Sequence, residues 1–260
     1  MASPEVHRTA VVDPSARIGA GAAVGPYCVV ETGVEIGAGT RLLSHVVVHE
    51  GTALGPDNVV FPMAVLGGAP QDLKYRGEPT RLVVGARNRI REFVTLNRGT
   101  DGGGGITTVG DDNLVMAYSH VAHDCRVGNG TILGNAATLA GHVVIGDEAS
   151  VGAFSGIHQF TRVARHAFIG GYSVVTQDAL PWVLTVGNRA TTHGINLVGL
   201  KRKGYGEETI EAIKQCYLTL FRSKLLLKEA MEKVESELGH HEEVRYFLEF
   251  VRTSTRGVCR

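Results

Sequence analysis

A period of six residues runs through most of this chain. Stepping by six from Val6 lands on Val12, Ile18, Val24, Val30, Ile36, Leu42, Val48, Leu54, Val60 and Leu66. The pattern lapses, returns at Val84, Ile90 and Leu96, and lapses again. It then runs from Val109 to Val175 through Val115, Val121, Val127, Leu133, Leu139, Ile145, Val151, Ile157, Val163 and Ile169. A repeat this regular constrains architecture before any local propensity is weighed. Six residues are too few for a helix–turn–helix unit and out of phase with a 3.6-residue helical turn. The period suits three short strands joined by corners, with coils stacked at strand spacing, about 4.8 Å. The expected product is a parallel β-helix, a prism with three flat faces and eighteen residues per coil.

The aliphatic residue of each hexad points inward. So does the residue four later, which is small at Ala10, Ala16, Ala22, Cys28, Thr40, Thr52 and Ala64. Glycine follows the aliphatic residue at 19, 25, 37, 55 and 67, where a corner is expected to need backbone angles that other residues resist. Two interruptions read as loops leaving the prism, near 68–80 (GAPQDLKYRGEPT) and 101–107 (DGGGGIT). The second lacks the Lys-Ser/Thr that would make its glycines a P-loop, so it reads as a flexible excursion. After Ala179 the hexads fade. From Glu207 apolar residues recur at three and four: Ile210, Ile213, Tyr217, Leu220 and Phe221, then Leu227, Met231, Val234 and Leu238, then Val244, Phe247, Leu248 and Val251. These predict three amphipathic helices, with Gly239 placed to end one. The division expected is a prism over 1–190 and a helical domain over 191–260. The helices would cap the open end, where an unpaired coil invites strand pairing.

Lysine plus arginine balance aspartate plus glutamate at 26 each, so charge argues for neither nucleic acid nor an acidic membrane surface. No apolar run reaches the roughly 18 residues of a membrane span. The start, MASPEVHRTA, lacks the basic-then-apolar order of a signal peptide. Cysteines at 28, 125, 216 and 259 form no C-x-x-C pair, which favours free thiols in a reducing compartment. A cytoplasmic protein is expected.

Chemistry concentrates at HVAHDC, residues 120–125. Residues eighteen apart stack, so the hexads opening at Val121, Leu139 and Ile157 share a face. His120, His123, Asp124, Gly141, His142, His158 and Gln159 then converge on one ridge about 10 Å tall, two strand spacings. His7, His45 and His49 fall elsewhere and read as surface. Four readings compete for the ridge. The side chains could be merely solvated. Three histidines could hold zinc, although the zinc-binding relatives of this architecture place two ligands five apart rather than three. Cys125 could be a nucleophile, but it takes the small inward position and should be buried and inert. Lastly, His123 could act as a general base on a hydroxyl, oriented by Asp124, while the Gly141 N–H faces a developing oxyanion.

Segments outside the repeat carry a resemblance. They are Gln71-Asp72-Leu73-Lys74-Tyr75 followed by GEPTRL, RNRIRE (87–92), RGT (98–100), HVAHDC, GNAATLAGHV (134–143), IHQF (157–160), GINLVGLKRKG (194–204) and RTSTRG (252–257). Together they resemble the UDP-N-acetylglucosamine O-acyltransferases of lipid A biosynthesis over essentially the whole chain. That resemblance implies a left-handed all-β helix, followed by a small α-helical domain. It implies a cytoplasmic homotrimer that moves a 3-hydroxyacyl chain from acyl carrier protein to UDP-N-acetylglucosamine, with sites between neighbouring prisms and no metal or cofactor.

The same resemblance implies His123 as base, Asp124 as its partner and Gly141 as oxyanion donor. It places Gln71, Asp72, Lys74, His120, His142, His158, Gln159, Asn196 and Arg202 in substrate binding, and Gly171 where acyl length is set. A glycine there leaves the groove open for a longer chain. Asn97 and Arg189 stand where some relatives have histidine. The related N-acyltransferase of the pathway carries a domain before its coils, and entry into the repeat at Val6 is expected to leave no room for one.

Overall fold

The computed structural model describes residues 3–260. Its strands are mostly two residues long and fall into three sheets of eleven, nine and eight strands, parallel except for the last pairing of the first. The first sheet starts at Glu5–Val6, the second at Val11–Val12 and the third at Arg17–Ile18, and the chain visits them in turn. Partners lie eighteen residues apart, as in Val12↔Val30, Val30↔Val48 and Val121↔Leu139. Every hexad aliphatic from Val24 to Val175 is buried in one continuous core. Val6 stays 48% exposed because no coil lies beneath the first. Burying each such side chain contributes about 1.5–3 kcal/mol, which a coil needs because two-residue strands have little strength of their own.

Of the five corner glycines only Gly67 holds the positive φ expected, at 76°; the others have a different cause. Gly25, Gly37 and Gly55 do not adopt positive φ. A Cβ on Gly25 would lie 2.2 Å from the Leu43 carbonyl oxygen, and one on Gly37 would lie 2.3 Å from the Gly55 carbonyl carbon. Close approach of the next coil selects glycine there. The left-handed conformation sits two residues later, at the fourth hexad position. Tyr27, His45, Phe93, Asp124, His142 and Phe160 all hold φ between 58° and 62°. The fifth position is not always apolar. Asn58, Asn88 and Asn113 are buried, and each side-chain oxygen accepts the backbone N–H of the next coil, at 2.8 Å, 2.9 Å and 2.7 Å.

The interruptions lengthen coils without disturbing register. Leu66 pairs with Leu96 and Leu96 with Val121, so the two coils gain twelve and seven residues. Both insertions leave the corner between the second and third sheets, on adjacent coils. The first ends at the strand Arg81–Val84 and the second at Ile106–Val109, so the second loop stops at 105, two residues before the expected bound of 107.

The sheet runs past residue 190. Thr191–Ile195 adds an antiparallel strand to Val183–Val186, and the helices begin after it. A short helix, α1 (Leu197–Arg202), comes first and was not anticipated. The three expected helices follow as α2 (Glu207–Phe221), α3 (Leu227–Leu238) and α4 (Glu242–Arg252). Gly239 does cap α3, but in right-handed geometry. The helices share a second core with Ala164, Leu180, Trp182 and Val183. They are not alone in closing the prism, because Ala190 and Cys259 also join the coil core there. Among the described residues no helix is long and apolar enough to cross a membrane.

Candidate active site

The ridge forms at the corner from which both loops depart. His123 takes the third position of its hexad, so its ring stands outside the core with 15% of the side chain exposed. Asp124 follows at φ 59°, and that left-handed turn brings its carboxylate back beside the ring. Its Oδ2 lies 2.7 Å from His123 Nδ1. The Asp124 side chain is 1% exposed, so its charge must be answered within the protein. Thr100 does so from the second loop, donating its backbone N–H to Oδ1 at 2.9 Å and its hydroxyl to Oδ2 at 2.6 Å. The Asp124 N–H donates to the Thr107 hydroxyl at 2.8 Å. Gly103 lies so close that a Cβ would sit 2.0 Å from the Asp124 carboxyl carbon. The glycine run is therefore no idle excursion. It wraps the carboxylate, and its glycines permit the approach.

This arrangement fixes a tautomer. A carboxylate only accepts, so His123 carries its proton on Nδ1 and leaves the Nε2 lone pair free. Gly141 lies against that nitrogen. A Cβ there would come 2.6 Å from His123 Cε1 and 2.8 Å from Nε2, so any side chain would push the ring aside. Among the described residues the Gly141 N–H has no backbone acceptor, which leaves it available to an incoming oxygen.

His142 stacks on Phe160 with centroids 4.4 Å apart and meets His123 edge-on at 5.2 Å. His120 hydrogen-bonds the Thr95 hydroxyl through Nδ1 at 2.7 Å. Burial, and secondarily the nearby His123, push its pKa below the usual histidine value. His158 and Gln159 are exposed two coils above His123.

His123, Asp124 and His142 could in principle share an ion, since their donor atoms lie within 4.8 Å of one another. Asp124 already accepts three hydrogen bonds, two from Thr100 and one from His123, and His142 Nε2 stands off at 3.8 Å. A metal would have to dismantle that clamp. Cys125 is buried, its thiol donates to the Ala140 carbonyl at 3.1 Å, and burial pushes its pKa up to about 12. That fits an inert thiol, as expected.

Other expected site residues lie apart. Gln71, Asp72 and Lys74 sit on the first loop, where the Asp72 carboxylate accepts the Lys74 N–H at 2.9 Å. Arg98 pins this loop by donating to the Tyr75 hydroxyl at 3.0 Å, while the neighbouring Leu73 is 95% exposed. Asn196 caps α1, accepting the Gly199 N–H at 3.0 Å. With Arg202 it lines a cavity of about 420 Å³ that also includes Glu148, His166, Phe168 and Trp182. That cavity opens on the first sheet, not on the ridge. Gly171 lies at the corner between the first and second sheets, where a Cβ would meet only the Ala153 backbone, no nearer than 3.3 Å. One copy of the chain thus unites His120, His123, Asp124, Gly141 and His142 and leaves Asn196, Arg202 and Gly171 on other sides of the prism. Thr100, Gly103 and Thr107 escaped sequence reading. The signal for them was the register across the loops, which puts residues 97–108 on the coil directly below His123.

Comparison with known proteins bears on the same features. Residues 15–50 and 106–141 match the bacterial transferase hexapeptide model, and 178–259 match domain 2 of the UDP-N-acetylglucosamine O-acyltransferases. An acyl-[acyl-carrier-protein]–UDP-N-acetylglucosamine O-acyltransferase from Janthinobacterium is 51% identical, over 98% of this chain and 99% of the relative. The chain belongs to this O-acyltransferase family. A second O-acyltransferase, from Thermodesulfovibrio yellowstonii, is 48% identical with the same coverage. Among solved structures, the Moraxella catarrhalis O-acyltransferase superposes with a TM-score of 0.95 at 41% identity, covering 98% of this chain and 99% of that one. The Arabidopsis acyltransferase, at 33% identity over 98% and 100%, gives 0.87. The protein is therefore an acyltransferase, and its prism is the left-handed parallel β-helix of that family.

Proposed function

We propose that this O-acyltransferase moves a 3-hydroxyacyl group from acyl carrier protein to the 3-hydroxyl of UDP-N-acetylglucosamine, opening lipid A biosynthesis in the cytoplasm. His123 acts as general base and no acyl-enzyme forms. The observation that carries the mechanism is the 2.7 Å contact between His123 Nδ1 and a carboxylate already clamped by Thr100. His123 Nε2 takes the proton of the sugar hydroxyl as that oxygen attacks the thioester carbonyl carbon. The resulting oxyanion turns to the Gly141 N–H. Collapse breaks the C–S bond, and the departing sulfur recovers the proton from the imidazolium, which Asp124 has stabilised meanwhile. Cys125, the nearest thiol in sequence, is buried, which argues against a covalent route.

His120, His142, His158 and Gln159 line the groove for the sugar nucleotide and acyl chain. Gln71, Asp72 and Lys74 reach it from the first loop. Asn196 and Arg202 belong to the same site only if a neighbouring copy brings its cavity to the ridge, so the reading includes a homotrimer with sites between prisms. The test is His123→Ala, assayed for acyl transfer to UDP-N-acetylglucosamine. The rate should fall about 10²–10⁴-fold, the worth of a general base, with folding retained because the ring lies outside the core. A variant that keeps full activity would remove His123 from the chemistry.

A further inference from the structure

The end of the chain returns to the prism. Asp178 donates its N–H to the Gly257 carbonyl and accepts that of Cys259 on its own, both at 2.9 Å, so Val258 pairs in parallel as an added rung. Arg162 ties this segment down, donating to Asp178 Oδ2 at 2.8 Å, to the Thr253 hydroxyl at 3.1 Å and to the Phe250 carbonyl at 3.1 Å. The Ser254 hydroxyl donates to the same carboxylate oxygen at 2.9 Å. Cys259 is buried beneath. On this anchored segment the Arg256 guanidinium reaches the ridge. Its Nη2 lies 3.2 Å from His158 Nδ1, and both Nε and Nη2 lie 3.4 Å from the Thr176 carbonyl oxygen.

We propose that Arg256 is a positioning residue that sets the tautomer of His158, so that His158 offers Nε2–H to an acceptor oxygen of the bound sugar nucleotide. This rests on the reading that His158 lines the nucleotide groove. A guanidinium only donates, so Nδ1 must accept in this bond and cannot carry a proton. The rival partner of Nδ1 is the Gln159 carbonyl oxygen at 3.1 Å, which would require Nδ1–H. The two bonds exclude each other. The charge-assisted one is the stronger, and arginine keeps its charge at every working pH. The proton therefore sits on Nε2. Phosphate oxygens only accept, so a donor is what would recognise them. His123 and His158 thus share a ridge in opposite tautomers, each set by a partner of opposite charge: Asp124 makes Nε2 of His123 a base, and Arg256 makes Nε2 of His158 a donor.

The experiment reads the histidine ring nitrogens of the full-length protein by ¹⁵N NMR, alongside steady-state kinetics with UDP-N-acetylglucosamine. His158 is expected to carry a bare Nδ1 and a protonated Nε2, and Arg256→Gln should shift it toward Nδ1–H. The same variant should raise KM for the sugar nucleotide about tenfold and change kcat by less than about threefold, since binding rather than proton transfer is weakened. Arg256→Lys should recover most of the loss. In a His158→Gln background, Arg256→Gln should have no further effect on KM, because the two act through one contact. An Nδ1–H tautomer in the unaltered protein overturns the proposal. So does an undiminished KM effect in the His158→Gln background, which would make Arg256 a direct ligand. If Arg256→Gln unfolds, the lysine variant and the spectrum of the unaltered protein still decide. An inactive unaltered enzyme would count against the proposed function, while the ring nitrogens would still report on Arg256.

Discussion

Replacing Thr100 by valine removes one hydroxyl and little else. The shape is nearly kept, and so is the backbone N–H bond to Asp124 Oδ1. What goes is the 2.6 Å bond to Oδ2, the same oxygen that faces His123 Nδ1 at 2.7 Å. With the Asp124 side chain only 1% exposed, water is poorly placed to substitute. A hydrogen bond to a charged group is worth about 1.5–3 kcal/mol, and more of that is felt when the charge is left buried. For a chain of this size that is a fall of roughly 3–12 °C in the unfolding midpoint at fixed protein concentration. If about 1.4 kcal/mol of the loss appears in the transition state, through a carboxylate that no longer holds the imidazole still, kcat drops about tenfold. Thr100→Ser keeps the hydroxyl and should stay close to the unaltered enzyme in both. The assay pairs thermal unfolding with steady-state acyl transfer for the three proteins. A valine variant with unchanged midpoint and unchanged kcat would refute the idea that the second loop exists to hold Asp124.

Three further outcomes are expected. Native Cys125 should resist a thiol reagent that labels it rapidly once unfolded, and Cys125→Ala should retain acyl transfer within about threefold; its pKa of about 12 and full burial are the reason. Donors of increasing acyl length should show a preference for longer chains, and Gly171→Met should move it toward shorter ones; a preference of the unaltered enzyme for the shortest donor would refute a role for Gly171 in setting acyl length. Stability should fall on acidification: burial lowers the folded pKa of His120 and of His166 below 6.5, so the unfolded chain binds protons first as pH drops through that value. The loss should begin near pH 6.5 and level off below the folded values, and His120→Gln should flatten the curve measured by thermal unfolding from pH 8 to 5.

The prism was legible because its period is a direct record of which residues face inward. Val24 through Val175 needed no tertiary information, and the same counting placed Gly141 against His123. Counting fails where cause and position separate. Corner glycines are selected by the coil above them, which a single hexad cannot reveal, so Gly25 and Gly37 read as conformational when they are steric. Glycines 102–105 announce freedom of the backbone but not what the backbone wraps, so the approach of Gly103 to Asp124 was not legible. Past Ala179 the phase is lost, so the sequence could name Asn196 and Arg202 without locating them on a different side from the ridge. Arg256 lies 98 residues from His158, and only the added rung at Val258 brings them together.

Within the sheets, each coil pairs only with the coils directly above and below it. Five steps of that ladder separate Val12 from Val121. Fraying at the first coil, where Val6 and Val11 face water, is therefore a local affair that dies out before it reaches the imidazoles. The chain keeps its exposed first coil and the histidine ridge at a distance along a single axis, so softness at the one is not passed to the other.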